Sequence, residues 1–161
     1  MQWRINGGDY MRYVSQYNFE HKALEIYLAG CKGNCKGCHN PEMKSFDVGT
    51  ELNCEEYEKI EEKIKSDLVE NIWILGGEPI DRNIYELDLL IYRLSFILKP
   101  IWLFTRYELR DIQLLINNDL LDVDYIKVGP YIQELKTDTN IQHGVKLATS
   151  NQKILKKGVD Y

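Results

Sequence analysis

Residues 23–42, ALEIYLAGCKGNCKGCHNPE, decide the fold. The run 23–30 is rich in apolar and aromatic residues and closes on a glycine, as a buried strand does where it passes into a loop. The loop that follows carries Cys31, Cys35 and Cys38, three of the four cysteines of the chain. A pair would suggest a disulfide or a redox couple, and four would close a metal site, so the count of three calls for its own explanation.

Outward from this stretch the chain alternates short strand-like runs with helical patterns. Asn53 precedes CEEYEKIEEKIKSDL, in which Ile60, Ile64 and Leu68 recur every fourth residue, and Asn53 with Glu56 forms an N-terminal cap. NIWILGGEP (71–79) reads as a second strand ending in two glycines. Asp81 is placed to cap the next helix, whose apolar face is Ile84, Leu87, Leu90, Ile91, Leu94 and Leu98. PIWLFT (100–105) reads as a third strand, Leu109, Ile112, Leu115 and Ile116 as a third amphipathic helix, and VDYIKVG (123–129) as a fourth strand. Such alternation predicts an α/β fold built on βαβ crossovers and a mainly parallel sheet. Ligands of such sheets gather beyond the carboxyl ends of the strands. The cysteines, Gly76-Gly77-Glu78-Pro79, Thr105 and Gly129-Pro130 all fall at those ends.

The chain has 161 residues, 44% hydrophobic and 28% charged, with no repeat, low-complexity tract or linker, which predicts one globular domain spanning 1–161. No signal-like segment opens it and no apolar run nears the roughly 20 residues of a membrane span. A cytoplasmic protein is therefore expected, with no membrane partner. In a reducing compartment clustered thiols point to metal ligation or catalysis rather than to disulfides. The net charge of −5 argues against nucleic acid as a partner, because that binding rests on lysine and arginine neutralising phosphates. The basic run KILKK (153–157) reads as a solvated tail.

The C-x3-C-x2-C spacing brings three thiolates from one loop onto one small object, with Gly33 and Gly37 letting the backbone curl around it. A cubane [4Fe-4S] cluster normally takes four thiolates, so three leave one iron open, and an open coordination position marks a metal site that binds a substrate. The competing reading is zinc completed by His39 or Cys54. His39 adjoins Cys38, which strains a shared metal, and Cys54 lacks a second cysteine nearby; it reads as a small residue in the first turn of a helix. Gly76 and Gly77 also suit a plain strand-to-helix turn, His39 and His143 suit hydrogen-bonded structural roles, and Trp73 and Trp102 read as core.

These motifs carry a family resemblance. The cysteine loop after the first strand and GGEP after the second resemble the radical S-adenosylmethionine (SAM) superfamily. GCKGNCKGCHNPE, ILGGEP, IWLFTRY, VDYIKVGPYIQELK and ATSNQKIL together resemble the activating proteins of anaerobic (class III) ribonucleoside-triphosphate reductase over most of the chain. The resemblance implies a partial (β/α) barrel of radical SAM type, since about 160 residues fall short of the roughly 250 of a complete one. It implies an enzyme that cleaves SAM reductively at a [4Fe-4S] cluster and generates the glycyl radical of the reductase large subunit, fed by a donor such as flavodoxin or a thiol system. Carried residue by residue, it assigns Cys31, Cys35 and Cys38 to the cluster and Gly37, Cys38, His39, Gly76, Gly77, Glu78 and Thr105 to contacts with SAM.

One departure is visible. The superfamily often has an aromatic residue before the last cysteine, where this chain has Gly37, as suits the reductase-activating subgroup. A chain of about 160 residues should leave the rim of such a barrel open, and the reductase itself is expected to supply the missing wall. The alternatives are activation of another glycyl-radical enzyme of the pyruvate formate-lyase kind, a small-molecule radical SAM reaction such as deazapurine synthesis, and a non-catalytic iron–sulfur or zinc module. For Ser150-Asn151-Gln152 the sequence allows a cap or stitch for the last segment, or a contact with the partner.

Overall fold

The structure, a computed structural model, describes residues 10–115 and 122–161. Its frame is a seven-stranded mixed sheet in the order β3-β1-β2-β4-β5-β6-β9, with β1 Arg12–Asn18, β2 Ala23–Leu28, β3 Thr50–Glu51, β4 Asn71–Gly76, β5 Ile101–Phe104, β6 Tyr125–Val128 and β9 Lys153–Lys156. The four strands expected from the sequence, β2, β4, β5 and β6, are the parallel centre. Antiparallel β1, β3 and β9 flank them, so the sheet is mixed. The strands β7 Ile141–Gln142 and β8 Val145–Lys146 form a separate hairpin.

Side chains alternate across the central strands with period two, and the two faces differ. Ile26 and Leu28, Ile72 and Ile74, Ile101 and Leu103, and Ile126 and Val128 pack in one cluster with Tyr57, Ile60 and Ile64 of α1 (Cys54–Lys65), four residues of α2 (Ile84–Ser95) and Ile112 of α3 (Leu109–Leu115). The opposite face carries Trp73, Trp102, Phe104 and Tyr125, covered in part by Val145 and Leu147 of the β8 segment. Both tryptophans are buried as expected, but on the face away from the helices. Among the described residues no helix is long and apolar enough to cross a membrane.

Several local expectations are corrected. Asn53 caps α1 as expected, its side chain accepting from Glu56 N at 3.0 Å, but the helix stops at Lys65 and leaves Leu68 70% exposed. The cap of α2 is Asn83, not Asp81. Leu98 lies past the end of α2 with φ of 60° and 90% exposure, because the apolar stripe closes at Leu94. Ile116 lies outside the described residues. The segment read as a basic tail is β9, in which Ile154 is 4% exposed while Lys153 and Lys156 face solvent. Alternation over so short a run is hard to tell from a charged tail. Ile154→Ala is expected to cost about 2 kcal/mol, measured as a lower urea midpoint at unchanged slope.

Candidate functional site

At the carboxyl ends of the parallel strands lies a cavity of about 440 Å³. Cys31, Cys35, Cys38 and His39 of the first loop line it, together with Gly76, Gly77 and Glu78 after β4, Thr105 after β5, and Lys127 of β6. The expected site residues are thus brought to one place, except that Gly37 adjoins the lining rather than forming it. Cys54, at the exposed start of α1, is not part of it.

Strand register explains the convergence. Leu28 pairs with Gly76, and the ladder continues beyond both strands: Gly77 N donates to Leu28 O at 2.9 Å and Glu78 N to Gly30 O at 2.8 Å. The cysteine loop and the glycine turn therefore leave the sheet side by side. Gly77 has no room for a side chain, because a Cβ there would stand 2.4 Å from Gly30 O and 2.6 Å from Met43 O.

The Glu78 carboxylate is 2% exposed and accepts from Thr105 Oγ1 at 2.7 Å, Arg106 N at 2.7 Å and Ile80 N at 3.2 Å. Burial pushes its pKa up, and those three donors oppose the rise. The side chain therefore ties the end of β4 to the end of β5. Thr105, expected to meet a ligand through its hydroxyl, spends that hydroxyl on Glu78. His39 packs its ring 4.6 Å from that of Tyr131. Gly37 has φ of 75° and faces the Gln133 side chain.

Sequence reasoning missed the clamp that holds the cysteine loop. Asp81 accepts from Lys32 N at 2.7 Å, from Tyr107 Oη at 2.5 Å and from Arg106 Nη2 at 3.1 Å to each oxygen. Burial alone would raise its pKa, but the bonds from Tyr107, Lys32 and Arg106 together hold it below the usual aspartate range. Burial and the bond to Asp81 push the Tyr107 hydroxyl up to about 12, so it stays a donor. No local pattern announces this cluster, which joins residues 32, 81, 106 and 107. Asp81→Asn is expected to cost about 1–3 kcal/mol, since it weakens charge-assisted bonds to a buried group. A carboxylate with a lowered folded pKa stabilises the fold fully above its unfolded value of about 3.9, and that contribution is lost as pH falls through the folded value. Wild-type stability should therefore fall in acid over that window and the Asn variant should lack this component, as paired denaturant titrations across pH would show.

Ser150-Asn151-Gln152 stitches the last segment. Gln152 Oε1 accepts from Ala148 N at 3.1 Å and Thr149 N at 3.2 Å, and Asn151 Nδ2 donates to Pro130 O at 2.9 Å.

The lining suits a bound group rich in acceptors. Trp73 Nε1 and Arg106 Nε are buried donors without a partner, and both residues line the cavity. Gly33 N donates to Cys31 Sγ at 3.3 Å, the kind of contact that tunes a thiolate in an iron–sulfur site, while burial pushes the Cys31 thiol up. Among the described residues no three His, Cys, Asp or Glu side chains are gathered on one ion position.

Comparison with known proteins agrees with this donor set. Residues 21–155 match a family described as a 4Fe-4S single cluster domain. The chain is 27% identical over 138 residues to an anaerobic ribonucleoside-triphosphate reductase-activating protein of Haemophilus influenzae, covering 77% of this chain and 86% of that protein. It is 28% identical over 159 residues to the protein of the same name from Salmonella typhimurium, covering 88% and 96%. A third of that name, from Vibrio cholerae, is 28% identical over 114 residues, covering 68% and 74%. The resemblance first read from the cysteine loop and GGEP thus extends along most of the sequence, and the chain belongs to the family of 4Fe-4S single cluster domains.

Proposed function

We propose that this protein is a radical SAM enzyme, the activase of an anaerobic ribonucleoside-triphosphate reductase. The observation that carries the reading is the convergence of Cys31, Cys35 and Cys38 with Gly76 and Gly77 on one cavity at the strand ends. Relatives named as activating proteins of that reductase support it. In this reading the three thiolates hold a [4Fe-4S] cluster with one open iron. Such a cluster would supply the electron for reductive cleavage of SAM, the chemistry by which an activase of this kind would leave a glycyl radical on the reductase.

The chain's own residues bind and enclose. The carbonyls after β4 are the acceptors for the SAM ammonium, because the Glu78 carboxylate is already filled by three donors. Thr105 acts through Glu78, holding the turn. His39 and Gly37 border the SAM site from the cysteine loop. Helices α1, α2 and α3 pack on one face of the sheet, which supports the partial-barrel reading, and the face bearing Trp73 and Phe104 turns toward the cavity. The reductase completes the open side, carrying its glycine loop into the cavity and excluding water from the radical. The whole chain works as one such domain, in the cytoplasm, with a flavodoxin or thiol system as electron donor.

The test adds anaerobically reconstituted protein, SAM and dithionite to the purified reductase. A glycyl radical on the reductase, detected by electron paramagnetic resonance, is the expected result. Formation of 5′-deoxyadenosine with no radical on the reductase would direct the reading to another partner or to a small substrate.

A further inference from the structure

Lys127 is the one cation of β6, in a strand otherwise built of Tyr125, Ile126 and Val128. Its position in the two-residue alternation puts it on the face of Tyr125 and Trp102, toward the cavity, which it lines. The ammonium donates to Thr105 O and Gly129 O, each at 3.0 Å. No carboxylate among the described residues lies within ion-pair distance of it. Burial lowers its pKa to about 8, against the opposing pull first of Glu78 and then of Cys35.

A lysine kept in such a place costs desolvation that a neutral residue would not. Two backbone carbonyls satisfy two of its three donors but none of its charge. No carboxylate pairs with it directly, the pull of Glu78 acting from beyond ion-pair distance, and the cavity it lines is lined also by the three cysteines. Glu78 is engaged with three donors of its own and does not pair with it.

We propose that Lys127 is the built-in counter-charge of the iron–sulfur cluster, raising the cluster's reduction potential from within the cavity. This rests on the reading of Cys31, Cys35 and Cys38 as cluster ligands. A cluster held by three thiolates carries net negative charge and gains one more electron on reduction. A fixed positive charge beside it therefore stabilises the reduced form more than the oxidised form, and net charge is one of the main determinants of cluster potential. The ammonium remains charged at pH 7, and an anionic neighbour can only strengthen its hold on the proton. At the effective dielectric of such sites a unit charge within about 10 Å moves an equilibrium by tenfold or more. Lys127 is in this sense a positioning charge: it acts on the electron's destination without touching the transferred atom.

The experiment is a redox titration of the reconstituted protein at pH 7, following the reduced-cluster signal by electron paramagnetic resonance, in wild type, Lys127→Met and Lys127→Gln. Gln keeps a donor for the two carbonyls but removes the charge. Both variants are expected to show a reduced-to-oxidised ratio at least tenfold lower at the wild-type midpoint, equivalent to a potential lowered by about 59 mV or more. Equal potentials in all three proteins overturn the proposal. A shift in Met but not in Gln also overturns it, because the lost donor rather than the lost charge is then responsible. A wild type that reconstitutes no [4Fe-4S] signal overturns the underlying ligand assignment, a failure distinct from the other two.

Discussion

Cys35→Ala is expected to fold like the wild type, to take up no stable [4Fe-4S] cluster, and to form 5′-deoxyadenosine only at background. Cys35 is partly exposed and makes no structural hydrogen bond through its thiol, so its loss falls in the range of ordinary surface substitutions, about 0.5 kcal/mol or less. Its chemical consequence is of another order. With three ligands in all, removing one leaves two thiolates for four irons, and no other cysteine lines the cavity. Thermal melting of the metal-free protein checks the first half. Iron and sulfide content with a 5′-deoxyadenosine assay checks the second.

Gly77→Ala has the second largest expected effect, and it works through shape. The added Cβ would meet two backbone oxygens, Gly30 O at 2.4 Å and Met43 O at 2.6 Å, and neither is the free end of a flexible side chain. Met43 O also accepts from Gly30 N at 2.8 Å, so the two segments in the way are bonded to each other at the mouth of the cysteine loop. Relief requires the loop to move away from β4, which costs about 1–3 kcal/mol as other overpacking does and displaces the thiolates from their common cavity. Lower iron content together with a lower denaturant midpoint is the expected outcome. Gly144→Ala is the control. Its φ of 77° carries strain of about 1 kcal/mol, but a Cβ there meets nothing within 4 Å, so the cluster should be unaffected.

The parts legible in the sequence were those whose pattern is local. The strands β2, β4 and β5 are largely apolar runs with buried residues on both faces, β6 buries every second residue, and helices α1 and α2 repeat Ile60 and Ile64, or Leu87, Leu90, Ile91 and Leu94, at helical spacing. The element ends were less legible, because Leu68 and Leu98 prolong the periodic pattern after packing has stopped. The antiparallel strands that flank the parallel centre escaped notice for a related reason. In β1, Tyr13 is buried between the more exposed Arg12 and Val14, and in β9 Ile154 is buried and Leu155 half-buried between exposed lysines. Such strands are defined by the neighbour they pair with.

The same division runs through the site. The cysteine spacing and the glycine turn are contiguous and could be read. Asp81 stood in plain view before a helix and was assigned to its cap, where Asn83 stands instead, because an acid near a helix start satisfies that rule without revealing that Lys32, Arg106 and Tyr107 will reach it. Lys127 did leave a signal: a lysine at the position of β6 that faces away from the helices, between Ile126 and Val128. Alternation within the strand would have placed it in the cavity that the cysteines line once the cavity was expected on that face.

The central claim is that three cysteines hold a cluster with one iron left open for SAM. Its most direct test is the electron paramagnetic resonance spectrum of the dithionite-reduced, anaerobically reconstituted protein, recorded with and without SAM. The account predicts a [4Fe-4S]⁺ signal that changes when SAM is added. A protein that binds zinc in place of a cluster, or a cluster signal indifferent to SAM, would contradict it.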